Sequence, residues 1–253
     1  MDMPESDAKR SEMRCQSFCN VLSDAGVDVS SRNMRRAYDL SARKFQESWN
    51  KNAEISTEYQ IRIIIESACP TAVAILRDVG VMRALRKAYI DPLFHLPPPL
   101  NRDAIPTLEG LRVRVKKIGL ISNTGRVPGS ALRELIGRHG ILQFFDATIF
   151  SDEVGYRKPD KRIFHEAAKR LNLDESNGIH IGDNPETDVW GAKRAGMRAV
   201  LFAYDLPEGF NKMPDSTTTL SRTRHIPDSD INPDGRISTL AEAIQFVDSL
   251  RRQ

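Results

Sequence analysis

The spacing of apolar residues changes near position 100. Up to Leu100 they recur every three or four residues; after Ile105 they gather into short runs separated by amphipathic stretches. The first pattern predicts helices only, from about Glu12 to Leu100. Cys15 to Ala25 has helical spacing and stops before Gly26, a helix terminator. Ser30 or Ser31 can cap a second helix running through Tyr38, Phe45 and Trp49. Thr57 with Gln60 has the form of a capping box, opening a helix that holds Ile61, Ile63, Ile64 and Ile65. Pro70 starts a further helical stretch containing Val73, Ile75, Leu76 and Val81. The run Leu96 to Leu100, with three consecutive prolines, forbids helix and favours an extended hinge.

The second pattern alternates strand and helix. Lys117–Ser122, Ala147–Ser151, Gly178–Gly182 and Met197–Phe202 read as strands. Helices are expected over 129–138 (closed by Gly140), 160–171 and 186–195. Pro207 to Pro233 is polar and reads as a long surface loop, and 236–239 with a helix over 240–250 completes the pattern. Such alternation implies βαβ units and a mostly parallel, Rossmann-like sheet. The chain is therefore expected to be an α/β protein with a helical domain at 1–100 and a sheet domain at 101–253.

Composition narrows the classes. The 37 basic and 34 acidic side chains are too evenly balanced to point to nucleic acid or an anionic membrane. No apolar run approaches the about 18 residues that span a bilayer. Three cysteines are too few for a disulfide framework, and the cytoplasm is the expected compartment.

Candidate chemistry sits where predicted strands end, the usual place for function in an open α/β sheet. Ser122 and Asn123 follow the first strand, Lys158 the second, and Gly182-Asp183 with Asp188 the third. A hydroxyl, an amide and an ammonium suit phosphate oxygens. Two carboxylates suit a hard divalent cation such as magnesium. Each has a plainer reading alone: Asp183 is also a good helix cap, and Lys158 an ordinary loop cation.

In order, the segments LISNTG, GYRKPDKRIF and IHIGDNPETDVWGAKRAGM resemble the second, third and fourth motifs of the haloacid dehalogenase superfamily, in the subfamily with a helical cap. The resemblance implies a magnesium-dependent phosphatase acting through an aspartyl phosphate on a small phosphorylated metabolite. It implies that Ser122 and Asn123 hold the phosphoryl group and that Lys158 neutralises charge. Asp183 would bind magnesium, and Asp188 would complete or buttress that site. The cap would line the substrate pocket, and Arg35, Arg36, Lys44 and Trp49 lie on its helices.

The family's first motif, an apolar strand ending Asp-x-Asp-x-Thr, is not found. The only early aspartates, Asp2 and Asp7, follow no apolar strand. The resemblance places that motif upstream of Met1 and its strand centrally, between those ending in Ser122 and Gly182. Each buried backbone group left unpaired by its absence would cost about 1–3 kcal/mol, against a total stability of about 5–15 kcal/mol. A truncated or mis-started hydrolase, inactive as written, is the leading expectation. The alternatives are a non-catalytic binding or regulatory protein on the same fold and, third, a dehalogenase, which would have no need of the paired carboxylates.

Overall fold

The computed structural model describes residues 4–203 and 226–251. The chain divides into two units, Met1–Pro99 with Thr124–Leu135, and Leu100–Asn123 with Ile136–Gln253. Most of the predicted loop over 207–233 lies outside the described residues; within the part described, Asp228–Asp230 makes one 3-10 turn. None of the described helices is long and apolar enough to cross a membrane.

The first unit is helical. It contains α1 (Pro4–Asp24), α2 (Ser31–Trp49), α3 (Thr57–Ala68), α4 (Val79–Ile90) and the short α5 (Pro92–His95). Ser30 caps α2 by accepting from the Asn33 amide. The cap of α3 is Ser56, accepting from Tyr59 N, not the expected Thr57. Gln60 instead donates from Nε2 to the Ile55 and Gly125 carbonyls, at 3.3 and 3.0 Å. The helix expected from Pro70 through Val81 breaks at Asp78. Pro70–Arg77 is a 3-10 helix, and Asp78 then caps α4 through the Val81 amide. Asp78 offers the backbone a better local partner than continued helix does.

Phe18, Phe45, Ile61, Ile64 and Tyr89 are fully buried here. So is a cationic cluster: Arg10, Arg14 and Arg126 are 4%, 2% and 7% exposed. Arg126 lies over the Tyr38 ring at 3.9 Å and donates to Ser41 Oγ, Tyr89 Oη and the Tyr38 carbonyl. Arg14 donates to the Tyr89 carbonyl at 2.8 Å. Buried guanidinium groups are tolerated when most of their N–H groups are matched and an aromatic face replaces water; Arg126 Nε alone of that side chain's nitrogens makes no hydrogen bond.

The second unit opens with α6 (Ala104–Arg112), which the apolar spacing did not predict. Strands β1 (Gly119–Ser122) and β2 (Ala147–Phe150) pair in parallel, with Gly119 opposite Ala147. Helix α7 (Gly129–Arg138) lies between them in sequence and ends before Gly140, whose φ of +70° favours glycine. After α8 (Ser151–Val154) comes α9 (Lys161–Leu171), capped by Asp160. Its buried stripe is Ile163, Phe164, Ala167, Ala168 and Leu171, the three-to-four spacing of an amphipathic helix. Strands β3 (Ile179–Gly182), β4 (Arg198–Phe202) and β5 (Gly235–Ile237) form a second parallel sheet in that order. The expected helix 186–195 is instead a π-helical turn, Pro185–Trp190, followed by the short α10 (Gly191–Arg194); α11 (Glu242–Leu250) closes the unit.

Among the described residues β1 pairs only with β2, and β3 only with β4. The break falls between the strands ending in Ser122 and Gly182. Burial follows suit. Ala199, Val200 and Ile149 are fully buried, whereas all four residues of β3 are only partly so.

Two aspartates pin the sheets. Asp146, just ahead of β2, accepts from the Ile118 amide at 2.9 Å and from Arg112 and Lys117. Asp234, just ahead of β5, accepts from the Ala199 amide and Lys193, both at 2.7 Å. Arg112, then the Ile118 amide and Lys117, hold the Asp146 carboxyl well below its ordinary 3.8. Because the folded value is depressed, its stabilisation is fully present above about pH 3.8 and is lost as pH falls through the folded value. Asp146→Asn should therefore lower urea stability at pH 7, and the difference from the parent chain should shrink steadily below pH 4.

Candidate functional site

The strand ends of the second unit carry the candidate residues, and local hydrogen bonds explain their placement. Asn123 faces the Lys158 backbone across the loop. Its Nδ2 donates to the Lys158 carbonyl at 2.9 Å, and its Oδ1 accepts from the Lys158 amide at 2.7 Å. This two-point clasp ties the end of β1 to the loop after α8. The peptide bond between Lys158 and Pro159 is cis. The Ser122 hydroxyl, partly exposed beside the clasp, donates to the Asn123 carbonyl at 3.3 Å.

The Lys158 ammonium turns inward. It donates to the Ile121 carbonyl at 3.2 Å and pairs with Asp188 Oδ1. The Lys158 side chain is 11% exposed and that of Asp188 4%. One cation thus bridges the open side of β1 and the turn that follows β3.

Asp188 has its whole carboxylate engaged. Oδ1 also accepts from His180 Nε2 at 3.0 Å, and Oδ2 accepts from the Asn184 amide at 3.0 Å. Burial by itself raises the Asp188 carboxyl, but the Lys158 ammonium and the His180 hydrogen bond outweigh it and hold the group ionised, well below the usual range. Burial lowers His180 from its ordinary value, against the pull of Asp188, so the ring is neutral near pH 7. A carboxylate accepts only, so Nε2 carries the proton.

Gly182 is required by proximity. A Cβ placed there would overlap the Asp188 carboxylate, whereas its backbone needs no left-handed conformation. The requirement at position 182 is therefore one of space, not of backbone freedom. Asn184, not Asp183, caps the following turn, with Oδ1 accepting from the Glu186 and Thr187 amides. Asp183 is exposed at the end of β3.

Ser122, Asn123, Lys158 and Asp188 are thus linked by direct contacts, while Asp183 sits next along the chain from the glycine that packs on Asp188. Among the described residues no three His, Cys, Asp or Glu side chains converge as a metal cage. The donor set still fits magnesium. That ion takes one or two carboxylates, with water and substrate oxygens completing its shell. Asp183 is an exposed carboxylate beside Gly182, and the Asp188 carboxylate is taken up by Lys158, His180 and the Asn184 amide.

Among the cap positions, Trp49 is core at 2% exposure, while Arg35 is a surface residue paired with Asp39. Sequence reasoning missed His180. Its signal was a single polar residue between two isoleucines in an apolar strand, two positions ahead of Gly182.

Known proteins resemble the chain in sequence and in fold. The family model for haloacid dehalogenase-like hydrolases matches residues 28–196. A glyceraldehyde 3-phosphate phosphatase of Methanopyrus kandleri is 38% identical over 134 residues, covering 50% of this chain and 55% of that protein. The chain spans about half the length, or less, of the curated relatives it matches. In fold it is similar to a HAD phosphatase from Thermococcus onnurineus (TM-score 0.54, 22% identity, 97% of this chain and 92% of that one). It is also similar to a HAD-hydrolase from Bacillus subtilis bound to magnesium (TM-score 0.56, 15% identity, 93% and 91% of the two chains).

Removing the Asp188 charge strands a buried ammonium, a loss of about 3–5 kcal/mol for one partner of a buried pair. Asp188→Ala should cost stability on that scale in urea denaturation. In Asp188→Leu combined with Lys158→Met the loss should fall well short of the sum of the singles, because the two residues share one interaction.

Proposed function

The chain belongs to the haloacid dehalogenase-like hydrolase family, and we propose that it carries the phosphate- and metal-binding groups of a magnesium-dependent phosphomonoester hydrolase acting on a small phosphorylated metabolite. The observation that carries this reading is the Asn123–Lys158 clasp, which fixes the Lys158 backbone beside the end of β1, where the Ser122 hydroxyl lies. The phosphatase relative at 38% identity supports the reaction class. The magnesium-bound neighbour of the same fold supports the metal.

On this reading the residues divide the work. The Ser122 hydroxyl and the Lys158 ammonium meet the phosphoryl oxygens by charge-assisted hydrogen bonds. Asn123 has its amide engaged and acts by fixing Lys158. Asp183 would hold magnesium, which when bound supplies positive charge to the phosphoryl oxygens. Asp188 keeps Lys158 charged and in place.

The reaction also needs a carboxylate nucleophile, and none of the described residues supplies one here. Asp7 lies within α1, paired with Arg10 and raised by burial, on no strand end. Asp2 lies outside the described residues. On this reading the described residues account for binding of phosphate and magnesium, and the nucleophile is not among them.

Inorganic phosphate titrated by calorimetry with magnesium present should bind the chain. Ser122→Ala should weaken that binding about tenfold, the value of one hydrogen bond to a charged group. Asp183→Asn should abolish its dependence on magnesium. p-Nitrophenyl phosphate should not be hydrolysed until an apolar segment ending Asp-x-Asp-x-Thr is joined to the N-terminus. Turnover by the unextended chain that Asp183→Ala removes would falsify the assignment of the missing nucleophile. No phosphate binding at all would favour a non-catalytic role.

A further inference from the structure

His180 has no part in the function proposed above, yet its environment is specific. It is the only polar side chain between Ile179 and Gly182 in a strand whose other side chains are partly buried isoleucines. Its ring meets Phe164 edge-on, centroids 5.1 Å apart at 89°. A buried ring nitrogen must find a partner, and this one reaches Asp188 Oδ1 at 3.0 Å, the same oxygen that takes Lys158. The other carboxylate oxygen is held by the Asn184 amide. Three donors thus share one carboxylate, two of them on a single oxygen.

That sharing has an electrostatic consequence. In a site with little water an ammonium facing a lone carboxylate forms a tight, nearly neutral pair, and a neutralised ammonium attracts a phosphoryl anion poorly. A neutral imidazole N–H on the same oxygen withdraws part of its negative charge without adding a net charge. It also fixes the direction the carboxylate faces. The Lys158 side chain is 11% exposed, so it is not sealed from solvent.

We propose that His180 is a positioning residue: by hydrogen-bonding Asp188 Oδ1 it loosens the hold of Asp188 on Lys158 and keeps that ammonium available to the phosphoryl group. This rests on the phosphate-binding reading of Lys158. His180 touches neither substrate nor metal in this role; it acts through Asp188.

Three variants of the full chain test it. His180→Phe keeps the ring packing on Phe164 and removes the donor, His180→Gln keeps an N–H donor, and His180→Met is a second donor-free form should the phenylalanine variant not fold. Inorganic phosphate affinity is measured by calorimetry. The hydrogen-exchange rate of the Lys158 ammonium is measured by 15N NMR, and Tm by circular dichroism. His180→Phe, or His180→Met in its place, should weaken phosphate binding about tenfold, one charge-assisted hydrogen bond's effect, and slow ammonium exchange several-fold. His180→Gln should restore both to within about threefold. A purely structural histidine would lower Tm in every variant while affinity and exchange rate stayed at the parent values, and that result overturns the proposal. If the parent chain binds no phosphate, the phosphate-binding reading fails. The ammonium exchange rates then decide the His180 role on their own: slower exchange in the donor-free variants upholds it, and unchanged exchange sinks it.

Discussion

Two opposite charges, the Lys158 ammonium and the Asp188 carboxylate, are almost out of water in this protein, and the candidate site is organised by the need to keep them together. Neither could be buried alone, since an isolated charge in a protein interior is expensive. Each is therefore surrounded by groups that complete its coordination: the Ile121 carbonyl for Lys158, and His180 with the Asn184 amide for Asp188. Gly182 is glycine because any side chain there would occupy the carboxylate's place.

The pair also bears on the fold. Backbone hydrogen bonds hold β1 to β2, β3 to β4 and β4 to β5, but none among the described residues joins β1 to β3. Lys158 reaches the last carbonyl-bearing stretch of β1 and the turn after β3 at once. The Asn123 clasp fastens the same lysine through its backbone. Asp146 and Asp234 do a related job at the opposite ends of the strands, each holding a neighbouring backbone amide and a cation. Side chains thus carry part of a load that a continuous sheet would place on its ladder.

The helical unit solves its own charge problem differently. Arg10, Arg14 and Arg126 are buried with Asp7 close by, and carbonyls, tyrosine hydroxyls and the Tyr38 face supply what carboxylates do not. Arg126 lies three residues beyond Asn123 in the sequence and belongs to the helical unit.

Much was legible in the sequence because it depends on local order. The α9 stripe, the strand positions and the Ser30 cap follow from periodicity and from side chains reaching their own backbone. The motif residues Ser122, Asn123, Lys158, Asp183 and Asp188 were nameable because strand ends and spacing mark them. Errors came where local signals compete. Ser56 outbid Thr57 for the α3 cap, and Asp78 divided one expected helix into two. What only the tertiary structure decided is the division of labour: that Asn184 caps the turn, that Asp188 is spent on Lys158 and His180, and that Asn123 grips a backbone 35 residues away. Those outcomes depend on which donors and acceptors meet after water is removed. A linear sequence records the groups, but their pairing is set by the packing that brings them together.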